Sequence, residues 1–186
     1  MLHKFVVPIA LSMLFLLPQK ALSHDRHDDL AKGEVGLFYS YESNGEDYIY
    51  GIGTGLTLFS DSSSGFAGQL LTTFNQAEVT ATDGYIEDYF AWEGIVRLGF
   101  FSNISVYGEV GIDLTEALFH DFRYDDDDYY DHHHHNDDID AFAGVGAGIR
   151  LGKFQLTAFS RLREIDSRYW EAEKEHFTGL QFSVNF

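Results

Sequence analysis

The residues best equipped for chemistry are concentrated in one segment. His132, His133, His134 and His135 form an unbroken run just after Asp125, Asp126, Asp127, Asp128 and Asp131, with Asn136, Asp137 and Asp138 following. Neutral imidazole suits Zn, Ni or Cu, whereas carboxylates alone suit Ca or Mg. The expected ligands of a divalent metal are therefore the four histidines, helped by Asp128 and Asp131. No fixed spacing of the His-Glu-x-x-His kind is present, so the composition predicts weak, exchangeable binding and no required cofactor. The competing reading is a solvated, repulsive acidic loop. His24, Asp25, His27, Asp28 and Asp29 repeat the same mixture near the N-terminus, where a solvated tail is expected.

Catalysis finds less support. There is no Cys, which removes thiol nucleophiles, thiolate metal sites and disulfides together. Acyl-ester hydrolysis needs a nucleophile and a base within hydrogen-bond reach. His120 and His176 are available to Ser160 or Ser167, but nothing in the spacing requires them to meet. Glu93 and Glu109 form a possible carboxylate pair, yet the arginines in the same segments point to paired ions instead. The sequence is expected not to encode an enzyme.

The elements that carry these residues are legible from composition and period. The 186 residues include 12 Lys+Arg against 30 Asp+Glu, a formal charge of -18. Nucleic acid is excluded as a partner, because phosphate binding needs clustered Lys and Arg. Aromatics at 16%, with 18 Gly and only 2 Pro, favour a packed β domain. At the N-terminus His3 and Lys4 precede an apolar stretch from Phe5 to Leu17, and Ala21-Leu22-Ser23 supplies small residues at a cleavage position. That is the pattern of a secretory signal peptide. The predicted organisation is thus a signal peptide over 1–23, a short acidic and His-bearing tail over 24–32 and one domain over 33–186. Removing Lys4 and Lys20 leaves 10 basic residues of the 12 against 30 acids, a formal -20. The apolar stretch is shorter than the roughly 20 residues of a membrane-spanning helix. Any membrane crossing is left to a closed barrel.

From Gly33 onward, hydrophobicity alternates with period two in eight segments, the signature of strands. They begin near Gly33, Tyr48, Phe66, Asp88, Ile104, Ile139, Phe154 and His176, and the fifth is read as continuing to Leu118. The second, fourth and sixth connections read as short, and the third (Ala77 to Glu87), fifth (Phe119 to Asp138) and seventh (Glu164 to Glu175) as long, so the long loops gather at one end. One face of the strands is aliphatic and aromatic. The other collects Glu34, Glu93, Glu109 and Asp113 with Arg97, Arg150, Arg161 and Arg163. An eight-stranded barrel has an interior just wide enough for side chains, so these eight are expected to form a lumenal ion network that plugs the barrel, with Gly making room for the long arms. Tyr39, Tyr41, Tyr48, Tyr50, Phe90 and Trp92 are expected to girdle the outside at the loop end, and Phe59, Phe100, Phe101, Phe154 and Phe186 at the turn end.

The final segment, FTGLQFSVNF, carries Gly179, Phe182, Val184 and Phe186, and resembles the assembly signal read by the barrel-insertion machinery of bacterial outer-membrane proteins. With the signal peptide and sorted loops, Gly33 to Phe186 resembles the small eight-stranded outer-membrane β-barrels of the OmpA-transmembrane or OmpX-like type. The resemblance implies an all-β, antiparallel up-and-down barrel, monomeric in the outer membrane, with extracellular loops and periplasmic termini. It further implies contact with outer-membrane lipid, lipopolysaccharide and the assembly machinery, and a cell-surface role without catalysis. No peptidoglycan-binding domain follows the last strand, so wall tethering is not expected. Two alternatives stand beside this reading. One is a soluble periplasmic, lipocalin-like barrel holding an apolar ligand, which would place apolar residues inside. The other is a lipid-modifying outer-membrane enzyme, although the His-x-Ser of lipid A deacylases is absent from this sequence.

Overall fold

A computed structural model describes residues 33–59, 65–80, 86–119, 139–167 and 170–186. The proposed signal peptide and N-terminal tail lie outside them. The strands are β1 (Gly33–Ser43), β2 (Tyr48–Phe59), β3 (Phe66–Thr80), β4 (Ile86–Phe101), β5 (Ile104–Asp113), β6 (Ala141–Leu151), β7 (Phe154–Ser167) and β8 (Trp170–Asn185). Each pairs antiparallel with its chain neighbours, and β1 closes on β8 with Tyr41 opposite Leu180. The barrel is therefore up-and-down and without a free side along its paired length.

Closure converts the two faces of every strand into an inside and an outside. Burial in β5 alternates without a break, with Ser105, Tyr107, Glu109 and Asp113 inward and Val106, Val110 and Ile112 outward. The same parity holds along the other strands. Leu56, Leu70, Leu98, Val145, Ile149, Leu156 and Leu180 are all exposed, while Glu42, Glu93, Arg97, Glu109, Arg161 and Arg163 are each at most 4% exposed. Charges lie inside and aliphatics outside, the reverse of a water-soluble barrel.

The interior fits because large inward side chains lie over glycines of the adjacent strands. A Cβ on Gly146 would collide with the Tyr107 ring, and one on Gly111 with the ring of Phe142. The three inward glycines of β6, Gly144, Gly146 and Gly148, keep that wall thin where Arg161 and Tyr107 cross the lumen. At the β6–β7 turn Gly152 adopts a φ of +63°, a left-handed conformation that glycine takes without steric cost.

Three expectations from the sequence need correction. The fifth strand stops at Asp113 and gives way to a short helix, α1 (Leu114–Phe119). Asp113 caps it by accepting the Thr115 N–H at 2.7 Å, and Glu116 holds the start of the next strand by accepting the Asp140 N–H at 2.9 Å. Local capping overrode an alternation that continued through Ile112 and Leu114. The third and seventh connections are also far shorter than expected, since β3–β4 pair as far as Thr80 and Ile86, and β7–β8 as far as Ser167 and Trp170. Backbone pairing there continues where the sequence no longer alternates with period two. Finally, Phe101 is not an outward girdle residue. It points inward, 7% exposed, and stacks on Tyr107 with centroids 5.7 Å apart.

Candidate functional site

The interior is organised around six charged side chains from four strands. Arg97 on β4 donates from Nε to Glu109 on β5 at 2.7 Å and from Nη2 to Gln181 on β8 at 2.7 Å. Glu109 also accepts from Arg161 Nε on β7 at 2.6 Å. Arg161 Nη1 reaches Glu42 on β1, which in turn accepts from Arg163 Nε at 2.8 Å. Arg163 then donates from Nη1 to Glu93 on β4 at 2.6 Å. The result is a continuous chain, Arg97–Glu109–Arg161–Glu42–Arg163–Glu93, that balances three guanidiniums against three carboxylates. Such balance is what makes the burial tolerable, since an uncompensated charge in this position would cost several kcal/mol.

Aromatic faces complete the site. The Arg97 guanidinium lies 4.6 Å from the Tyr107 ring centroid, and Arg161 sits 4.5 Å from Phe142 and 4.3 Å from Phe159. Arg163 stands 4.3 Å from Phe142 on that ring. Cation–π contact of this kind gains strength when desolvated. On the turn side of Arg97 the lumen is polar but carries fewer charges, and the void there, lined by Thr57, Gln69, Gln155, Gln181 and Ser183, amounts to about 20 Å³. That is room for about one water, far too little for an organic ligand.

Of the expected network, Glu93, Arg97, Glu109, Arg161 and Arg163 are brought together. Glu34 and Arg150 are inward too, but form a separate bidentate pair at the turn end, with contacts of 2.7 and 2.9 Å and roughly a quarter to a third of each side chain exposed. Asp113 is buried but belongs to no ion pair among the described residues, serving instead as the α1 cap. Its place in the network is taken by Glu42, which follows Ser40 on the inner face of β1 and is absent from the eight charges read from the sequence. Carrying the alternation one residue further, past Ser40 on the inner face, would have found it.

At the end of the chain, Phe182 and Phe186 are exposed on the outside, and Val184 shares that face. Gly179 is inward, in close contact with the Phe159 ring. Tyr39, Tyr48, Tyr50 and Phe90 are outward near the loop end, and Phe66, Phe100, Phe154 and Phe186 near the turn end. Trp92 stacks on Phe74 and donates its indole N–H to Thr72 at 2.6 Å. His132, His133, His134, His135, Asp128 and Asp131 lie outside the described residues, as does His120. Among the described residues no group of three or more His, Asp or Glu is arranged to hold a metal.

One pair left open by the sequence does meet. Ser160 on β7 and His176 on β8 face outward on neighbouring strands, with Oγ and Nε2 2.6 Å apart.

No protein-family model matches this chain, and no curated protein matches it. A solved structure described as "De novo design of transmembrane beta-barrels" is similar at 11% identity and a TM-score of 0.43, covering 87% of this chain and 100% of that one. Likeness at that level implies nothing about what this chain binds.

Proposed function

We propose that the protein is an outer-membrane β-barrel with a closed, ion-paired lumen, whose rigid wall displays acidic segments at the cell surface. The observation that carries the reading is the reversal of burial. Exposed Leu, Ile, Val and Phe form a band around the barrel, and charges are held inside it. A contiguous apolar surface of this size marks a partner or a membrane. A band that encircles all eight strands fits lipid, because a closed barrel has every backbone group paired. The two aromatic belts fall where headgroup boundaries would be. Among described outward residues, the first charges met along the β7–β8 seam are Glu164 and Lys174, which stand opposite each other. The lipocalin-like alternative is disfavoured by the same facts, since its cavity would be apolar and roughly 300 Å³ or larger.

On this reading the signal peptide directs export, the last strand presents Phe182, Val184 and Phe186 to the assembly machinery, and the loop end with the 120–138 segment faces outward beside lipopolysaccharide. His132, His133, His134 and His135, with Asp128 and Asp131, then offer exchangeable sites for Zn, Ni or Cu, and the carboxylates alone for Ca or Mg. The barrel acts as a monomeric display scaffold, not a pore.

The test is extraction and gel mobility. A folded barrel in this role is released from the membrane fraction only by detergent and migrates differently before and after boiling. Retention by immobilised nickel or zinc should be lost when the four histidines are replaced by alanine, with the heat-dependent shift unchanged. Recovery as a soluble periplasmic protein without a shift would remove the membrane reading. Metal retention that survives the His replacement would remove the loop site alone.

A further inference from the structure

We propose that Ser160 and His176 form a nucleophile–base pair on the outer wall that hydrolyses acyl esters of membrane lipid. The substrate class rests on the membrane reading above, whereas the pair itself rests on geometry. Ser160 Oγ and His176 Nε2 are 2.6 Å apart, the contact that lets imidazole accept the hydroxyl proton as attack begins. The register makes it a diagonal contact: Leu162 stands opposite His176, and Thr178 opposite Ser160. Both members face away from the lumen, so neither contributes to the buried ion chain.

Their surroundings suit a lipid acyl ester. Leu162 and Leu180 are about half exposed and share the outer face with Ala158, giving apolar floor beside the pair. From Phe154, in the turn-end belt, to Ser160 the strand rises about 20 Å, or about 15 Å along an axis tilted by about 40°. Glu164 and Lys174, the first outward charges, lie at about 25 Å on the same measure, the height of an outer-membrane apolar band. Ser160 at about 15 Å and His176, opposite Leu162, at about 20 Å therefore lie in the half of that band that faces the loop-side leaflet. Thr178, across from Ser160, bonds the Ser43 carbonyl through its hydroxyl at 3.4 Å. A contact that long is readily exchanged for an oxyanion developing beside Ser160.

The chemistry balances with water as the second reactant. Ser160 Oγ attacks the ester carbonyl carbon and its proton passes to His176 Nε2. The bond from that carbon to the alcohol oxygen breaks, His176 returns the proton to the departing alcohol, and the acyl group remains on Ser160. Water, giving a proton to His176, then attacks the acyl carbon. The bond to Oγ breaks, Ser160 is reprotonated and the fatty acid leaves.

The experiment uses the full chain folded into phosphatidylethanolamine and phosphatidylglycerol vesicles, with a fluorophosphonate as the active-serine probe. Phosphonylation at Ser160, with fatty-acid release falling about 1000-fold or more in both Ser160→Ala and His176→Gln, supports the proposal, provided that the heat-dependent gel shift is retained. A folded wild-type barrel that neither takes the probe nor releases fatty acid overturns it, and so does release that persists in Ser160→Ala. A chain that stays soluble without detergent, yet takes the probe at Ser160 and cleaves a water-soluble nitrophenyl ester, supports the pair while overturning the membrane reading.

Discussion

Arg161 is the residue on which the interior turns. It is 2% exposed, bridges Glu109 and Glu42, and is sandwiched between Phe142 and Phe159. Arg161→Met would leave Glu42 and Glu109 with one arginine each and should lower unfolding stability by about 3–5 kcal/mol, read as an earlier urea midpoint in detergent. Arg161→Lys should recover only part of this, because a single ammonium cannot present the planar fork that reaches two carboxylates while stacking on rings. An unchanged midpoint for Arg161→Met would show that the ion chain contributes nothing to the folded state. Glu34→Ala at the turn end should cost much less, about 0–1 kcal/mol, since the Arg150 pair is partly solvated.

Among the elements, β6 shows most plainly how small residues allow a charged lumen. Gly146→Val should block folding, seen as loss of the fast-migrating unboiled band, because the new Cβ meets the Tyr107 ring. Combining it with Tyr107→Ala should restore the band, and failure of that rescue would mean that glycine is needed for some reason other than space. The α1 cap gives a milder case. Asp113→Ala should cost about 1 kcal/mol and loosen the end of β5 without disturbing the ion chain. Much of this was legible beforehand, as the inward glycines of β6 and the arginines of β7 follow from alternation alone. The extent of β7 and β8 was not, because backbone pairing continues there through a stretch whose sequence carries no period of two.

For the barrel taken as one body, the outer wall is the surface that meets its surroundings. Val110, on the outside of β5, is 57% exposed on a strand face that carries no charge. Val110→Arg should destabilise the protein in vesicles by about 2–4 kcal/mol if it lies near the bilayer midplane. The same substitution on a water-exposed wall would be nearly neutral, so the folding equilibrium in lipid distinguishes the two. Planar-bilayer recordings should give no resolved unit conductance, as a void of about 20 Å³ beside a crossing chain of ion pairs leaves no water-filled path.

Period-two alternation determined the fold class, the inside and outside of each strand and most of the lumenal charges, because a closed barrel reads each strand independently and side-chain parity is a local property. The metal binding proposed for residues 120–138 likewise rests on their composition, with no fold required. Partner choice across the lumen is different. Arg161 joins Glu42, more than a hundred residues distant in the chain, only because β1 and β7 stand near each other in the closed ring. Ser160 likewise meets His176 only through the register of β7 on β8. Sequence spacing contains neither separation, since both are set by how far one strand slides along the next before the barrel closes.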